Sequence, residues 1–215
     1  MKAFEPIKAP LFPSQLESLE LFGAISVELA QGTVSDVVLQ KLEMHSFELD
    51  QVRFERVEVS SARVKNTYLS NVLLNDCLFF GSHFDHARLM RTQIQRGIYS
   101  GIVLSGATIE DVVFSGCKLN MVNFRGAAFK HVAFVDCDLT EADFGGARFD
   151  QVRFSACKLS GAEFSDCQIV RADFRSSDIS TIKGIGGLRR STVSSAQIID
   201  LSQAMAAEFG ILIED

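Results

Sequence analysis

The sequence predicts an all-β solenoid, a chain that turns a corner every five residues and closes a four-sided coil every 20. Three observations carry this. Every fifth residue from Val34 to Ile179 is apolar or aromatic and mostly large, 30 positions without a slip, and twelve of the 18 Phe stand in that one register. A second register, two residues earlier in each pentad, holds small or medium residues such as Ala142, Val152, Cys157 and Ala162, with Phe47 and Ile102 as the large exceptions. All three prolines (Pro6, Pro10, Pro13) precede the repeat.

A helix repeats its apolar positions every 3.6 residues and a strand every 2, so a period of five fits neither. It fits a chain that points one large and one small side chain inward on each side of a square. Stacked coils then pair as narrow parallel ladders about 4.8 Å apart, which proline would interrupt by removing a donor. Residues 20 apart become neighbours on one of four faces, with centres at 44, 64 and 84 (face A), 49, 69 and 89 (B), 54, 74 and 94 (C), and 59, 79 and 99 (D).

Pentads such as ADFGG (142–146), AEFSD (162–166) and ADFRS (172–176) resemble the pentapeptide-repeat family, whose motif is written A-(D/N)-L-x-x. The resemblance covers about residues 32–181 and implies a right-handed quadrilateral β-helix. Some family members interrupt their coils with loops that matter for activity, and residues 34–179 contain no such insertion.

The ends need covers, because an open coil offers its ladder edge to other chains. Residues 1–31 are read as an N-terminal capping segment, with Leu16, Leu19 and Leu21 sealing the first coil. Residues 182–215 are read as a Gly-rich exit (Gly184, Gly186, Gly187) and a helix opened by a capping box, Ser194 with Gln197. That helix places Ile198, Leu201, Met205 and Phe209 on one side, and Gly210 suits the position just past its end. Such a helix caps the last coil. The apolar run Ile211–Ile213 exceeds what a lid needs, and in the gyrase-interacting members that the chain resembles, this region also joins two rods. A homodimer through the C-terminal region is the resulting expectation.

Composition excludes several classes. Asp and Glu number 27 against 21 Lys and Arg, a net charge of -6, which argues against direct binding to nucleic acid or anionic lipid. No apolar stretch approaches the roughly 18 residues of a membrane helix, and Glu5 and the prolines occupy the place of a signal peptide's apolar core. A cytoplasmic location follows as an expectation. Cys77, Cys117, Cys137, Cys157 and Cys167 all take the small inward position and are read as reduced core filler. His45, His83, His86 and His131 are read as outward, without a ligand pattern for a metal. No catalytic motif or cofactor site is present, and a rod with a packed axis offers no concave pocket to tune a pKa. An enzyme is not expected.

The outer faces carry what function there is. Residues 51–96 hold seven bases and four acids, and residues 110–178 eleven acids and eight bases. The sharpest acidic run is Asp136, Asp138, Glu141 and Asp143. Family members that imitate duplex DNA bind DNA gyrase or topoisomerase IV, protecting against quinolones or gyrase poisons. The resemblance thus implies a protein partner of that kind, and a scaffold unrelated to gyrase is the alternative. A second candidate is apolar. Leu73 and Val113 on face C, Leu78, Phe80 and Ile98 on face D, and Val103 on face A are outward and within a few coils of one another. They form either a contact patch or a seat for the N-terminal segment.

Overall fold

From Ser26 to Asp178 the parallel partners lie twenty residues apart, as in Leu29 opposite Leu49, Val112 opposite Val132, and Lys158 opposite Asp178. The computed structural model describes residues 4–15, 17–18, 26–84 and 86–212. Its four-sided coil, a β-helix of stacked pentads, has one irregularity. Asp150 pairs with Arg171 rather than with the residue before it, and Val170 is turned out to solvent.

The corners explain how so many residue types tolerate the bend. The second residue after a pentad centre usually has a left-handed backbone, as at Asp36 (φ 57), Arg56 (φ 53), His131 (φ 52) and Glu141 (φ 57). An L-residue resists that conformation by about 1–2 kcal/mol. Each corner is held because its N–H donates to the carbonyl one coil on: Arg56 to Asn75 (3.0 Å), Asp136 to Ser155 (2.9 Å), Glu141 to Ser160 (2.9 Å). The bend therefore lies inside the ladder.

The centres fill the axis in columns. Phe114, Phe134, Phe154 and Phe174 stack on face C at 4.8, 5.0 and 4.6 Å between ring centroids, within 7° of parallel. Phe124, Phe144 and Phe164 stack on face A at 5.2 and 5.0 Å. Phe129 and Phe149 do so on face B at 5.2 Å. Face D supplies Leu119, Leu139 and Leu159, all fully buried. Neighbouring columns meet edge to face, as Phe134 does with Phe144 (6.2 Å, 81°). Burial of each such ring stabilises by about 1.5–3 kcal/mol.

The small register does polar work as well as filling. Each thiol donates to the carbonyl 23 residues back: Cys117 to Ile94 (3.3 Å), Cys137 to Phe114 (3.5 Å), Cys157 to Phe134 (3.4 Å). Ser177 Oγ continues the column onto Phe154 O at 2.9 Å. All five cysteines are free thiols.

The C-terminal cover continues the same spacing. Gln197 stands twenty residues after Ser177, and its Nε2 donates to Phe174 O and Ser177 O, both at 2.7 Å. Its Oε1 accepts from Ser194 N at 2.7 Å, closing the capping box of the helix Ser195–Glu208. One side chain thus takes the place of the next coil's small residue and opens the helix. Gly187, in the 3-10 turn Ile185–Leu188 that leaves the coil, is required to be glycine, since a Cβ there would meet Phe164 O at 1.8 Å. Ser191–Thr192 add a last short strand beside Ala172 and Asp173.

Because Gln197 must reach those carbonyls, Gln197 and Leu201 face the coil and are buried, with Met205 half-buried behind them. Ile198 and Phe209 point to solvent instead, so the four apolar residues expected on one side divide two and two. At the other end, Glu17–Ser18 pairs with Gly32–Thr33, and the coil register already holds at Ser26–Ala30. Leu16, Leu19, Leu21 and Ile213 lie outside the described residues. Among the described residues, no helix is long and apolar enough to cross a membrane.

Candidate interaction surface

A rod whose axis is filled can act only through its outside and its ends. A void of about 50 Å³ between residues such as Leu89, Ile94 and Leu104 is walled by core side chains.

The apolar set divides. Leu78 and Ile98 are bridged neighbours on face D, with Phe80 two residues along the same strand and 37% exposed. Leu73 and Val113 sit around the corner with Gln93 between them. Val103 pairs with His83 and Asn123 on another side. Only Leu78, Phe80 and Ile98 form one small contiguous group. Val38, largely exposed, lies in the same column beyond Glu58.

The charged columns alternate in sign along the rod. Asp36, Arg56, Asp76 and Arg96 succeed one another; Arg56 forks onto Asp36 (2.7 Å twice) and Arg96 Nε reaches Asp76 Oδ1 at 3.1 Å. Those guanidinium hydrogen bonds hold the Asp36 carboxyl below the usual range. Lys118, Asp138, Lys158 and Asp178 alternate on face D, and Lys130 pairs with Glu110 at 2.6 Å. Within the expected acidic run, Asp138 lies between two lysines and Asp143 pairs with Arg125 at 3.2 Å. Asp136 and Glu141 are exposed, and their column neighbours are Gly116 and Ala156, and Met121 and Gly161. The rod neutralises much of its own field, since opposite charges one coil apart sit well inside a Debye length of about 8 Å.

One flank is covered by the chain's own N-terminus, which no periodicity announced. Residues 4–12 run along the corner column of Gln151, His131, Asp111, Arg91 and Asn71, not over the first coil and not over face D. Glu5 N donates to Gln151 Oε1 (2.8 Å), Lys8 N to Asp111 Oδ1 (3.4 Å) and Leu11 N to Asn71 Oδ1 (3.3 Å). Phe4 lies on the Arg171 guanidinium at 3.8 Å and Phe12 on that of Arg53 at 4.6 Å. Glu5 Oε2 approaches His131 Nε2 at 3.2 Å, and Lys8 Nζ lies 3.5 Å from Asp111 Oδ2. The cover leaves Asp111 3% and Asn71 5% exposed, at a corner position where the Asp36 side chain elsewhere is 60% exposed. His131, expected outward, is largely covered too.

Glu110, Asp111 and His131 are the one group of three among the described residues whose ligand-type atoms lie within 4.8 Å of one another. Their counter-charges are already supplied by Lys130 and Lys8, so the arrangement is an ion-pair network.

Fold and surface together define a parallel β-solenoid with a packed axis, whose outward side chains lie in columns 20 residues apart. A model of the pentapeptide repeat region matches residues 107–183, so the later coils are a pentapeptide repeat region. No curated protein matches it in sequence. Among solved structures it is similar to a pentapeptide repeat protein from the Arabidopsis thaliana thylakoid lumen, with 25% identity over 40% of this chain and a TM-score of 0.39. The chain spans 61% of that protein's length. It is also similar to QnrB1 (trypsin-treated), a plasmid-mediated fluoroquinolone resistance protein, with 15% identity over 86% of this chain and 100% of that one, TM-score 0.35. A third is Rfr23 from the cyanobacterium Cyanothece 51142, with 14% identity over 53% of this chain and 60% of that one, TM-score 0.17.

Proposed function

We propose that the chain is a non-catalytic protein-interaction rod that self-associates through its C-terminal end. The observation that carries this is the apolar surface left outside the capping helix. Ile199 and Phe209 are each 73% exposed, and Ile198, Ile211 and Leu212 are exposed as well. Several exposed large apolar side chains on one capping element mark a contact site rather than a lid, whose apolar face already lies on the coil. Two such ends meeting about a two-fold axis place identical residues opposite one another. The five free thiols suit a reducing compartment such as the cytoplasm. Sedimentation of the chain and of Ile199→Asp/Phe209→Asp tests the association: a dimer that becomes a folded monomer supports it, and identical sedimentation refutes it.

A finer reading is binding of DNA gyrase or topoisomerase IV by imitation of duplex DNA. What favours it is Asp136 and Glu141, exposed without a basic residue on the adjacent coils of their columns. What weighs against it is the alternation of charge elsewhere, since a duplex carries one negative charge per 1.7 Å of axis without interruption. Supercoiling and cleavage-complex assays with gyrase, with and without a quinolone, decide between this reading and a scaffold unrelated to gyrase. No effect at micromolar protein leaves the scaffold.

A further inference from the structure

The N-terminal segment seats itself with a pitch set by the coils beneath it. Its backbone donors come from every third residue (Glu5, Lys8, Leu11), and the acceptors from every second coil (Gln151, Asp111, Asn71). Six residues therefore span four coils. At about 4.8 Å per coil this is roughly 19 Å, or about 3.2 Å per residue, close to the 3.1 Å rise of a polyproline II chain. That conformation has three residues per turn, so the same edge of the chain returns to the rod at each contact. Pro6, Pro10 and Pro13 fall where no N–H is used, and they hold the segment extended before it docks. Phe4, Lys8 and Phe12, each four residues apart, meet Arg171, Asp111 and Arg53.

We propose that this corner column is a recognition track for extended, proline-interrupted peptides, which residues 4–12 occupy in cis and a partner's segment occupies by displacing them. The ligand is an aromatic, a cation and a second aromatic at four-residue spacing on a polyproline II backbone, with free N–H groups at three-residue spacing. The track supplies what such a peptide needs. Its acceptors are fixed to the ladder at a matching pitch, a buried carboxylate takes the cation, and a guanidinium lies under each ring. Occupation in cis sets a high local concentration of the internal segment, so an external peptide binds the resting chain weakly. This site is separate from the C-terminal end, and neither depends on the other.

The test uses the full chain and a fluorescent synthetic peptide with the sequence of residues 4–13. In Phe4→Ala/Lys8→Glu/Phe12→Ala the internal segment loses its three anchors, all at the surface and outside the core. The peptide should bind this variant at least tenfold more tightly than the unaltered chain. Adding Asp111→Asn should cost tenfold again, and a scrambled peptide should not bind. Equal binding to both chains, no effect of Asp111→Asn, or equal binding of the scrambled peptide would each overturn the proposal. In the unaltered chain, excess unlabelled peptide should speed hydrogen exchange at the amides of Glu5, Lys8 and Leu11. Unchanged exchange there, under saturating peptide, counts against the proposal even if the triple variant does not fold.

Discussion

The coils from Ala107 to Ile182 and those before them share a backbone and differ in how they are filled. In the later coils the axis is mostly Phe on three faces and Leu on the fourth, with Ile at 109, 169 and 179, and Phe144 touches rings above, below and beside it. The earlier coils mix Val, Leu, Ile, Phe, one Met and one Tyr at the same positions. Around Leu89, Ile94 and Leu104 they leave the void of about 50 Å³, which at 24 cal/mol per Å³ corresponds to about 1 kcal/mol. Among the described residues, the earlier coils also hold four buried polar atoms with no hydrogen-bond partner: Arg53 Nε, Thr67 Oγ1, His83 Nδ1 and Tyr99 OH. The match to the family's repeat model covers only the later coils. Since each coil touches only its neighbours, stability in a solenoid is a local sum. A regular period therefore guarantees the fold without making it uniformly stable. The N-terminal segment, anchored from Asn71 to Gln151, crosses from the looser coils to the tighter ones and ties them together.

The sharpest test of this comparison is to empty matched positions. Phe144 lies within 6.3 Å of six other rings and is fully buried. Phe144→Ala should destabilise by about 3–5 kcal/mol, and Leu104→Ala, beside an existing void, by about 2–3 kcal/mol. Urea denaturation followed by circular dichroism measures both. Equal losses would show that the Phe columns pack no better than the mixed coils.

The period of five made most of this architecture legible in the sequence. It assigns Phe124, Phe144 and Phe164 to one face and Cys117, Cys137 and Cys157 to one column, where the structure has them. The capping box at Ser194 was equally plain, because its signal is local. What the period does not encode was hidden. Gln197's second role could be read only by counting twenty from Ser177, across a break in the register. The period does not encode the course of residues 4–12, because Glu5 and Gln151 are 146 residues apart, and corner residues such as Asp111 and His131 look like any solvated turn. The signal it did leave is its three prolines, spaced so that Glu5, Lys8 and Leu11 keep their N–H groups.

Alkaline pH probes both halves through their thiols, since burial also pushes the Cys167 thiol of the later coils up to about 12. Burial pushes the Cys77 thiol up to about 11 from an ordinary 9.0. The folded form then stays protonated while the unfolded form ionises. The stability this thiol contributes is intact below pH 9 and is lost as pH rises from 9 to about 11. The loss is roughly 1.4 kcal/mol per pH unit. Cys77→Ala should remove that part of the slope in melts taken between pH 8 and 11. A neutral thiol reagent should also label Cys77 before Cys137, since the looser coils open first. Labelling in the reverse order would place the weaker coils at the C-terminal end.

The smallest effect concerns Tyr99, which takes a column position otherwise held by Phe79, Leu119 and Leu139. Its ring stacks on Phe79 at 5.5 Å, but its hydroxyl is buried without a partner. Gly97 occupies the small position beneath it, where a Cβ would meet the Tyr99 ring at 2.4 Å, its hydroxyl at 2.6 Å and Cys77 O at 2.6 Å. The coil thus gives up a small side chain to admit a hydroxyl that bonds to nothing. A buried polar group left unpaired costs about 1–3 kcal/mol, so Tyr99→Phe should stabilise the chain by about 1 kcal/mol and raise Tm by roughly 2–4 °C. Gly97→Ala should destabilise in either background, because Cys77 O remains in the way when the hydroxyl is gone. Calorimetry of the three variants separates the two contributions. A Tyr99→Phe chain that melts lower than the parent would mean that the hydroxyl is satisfied, and that the looseness of the earlier coils lies in the void alone.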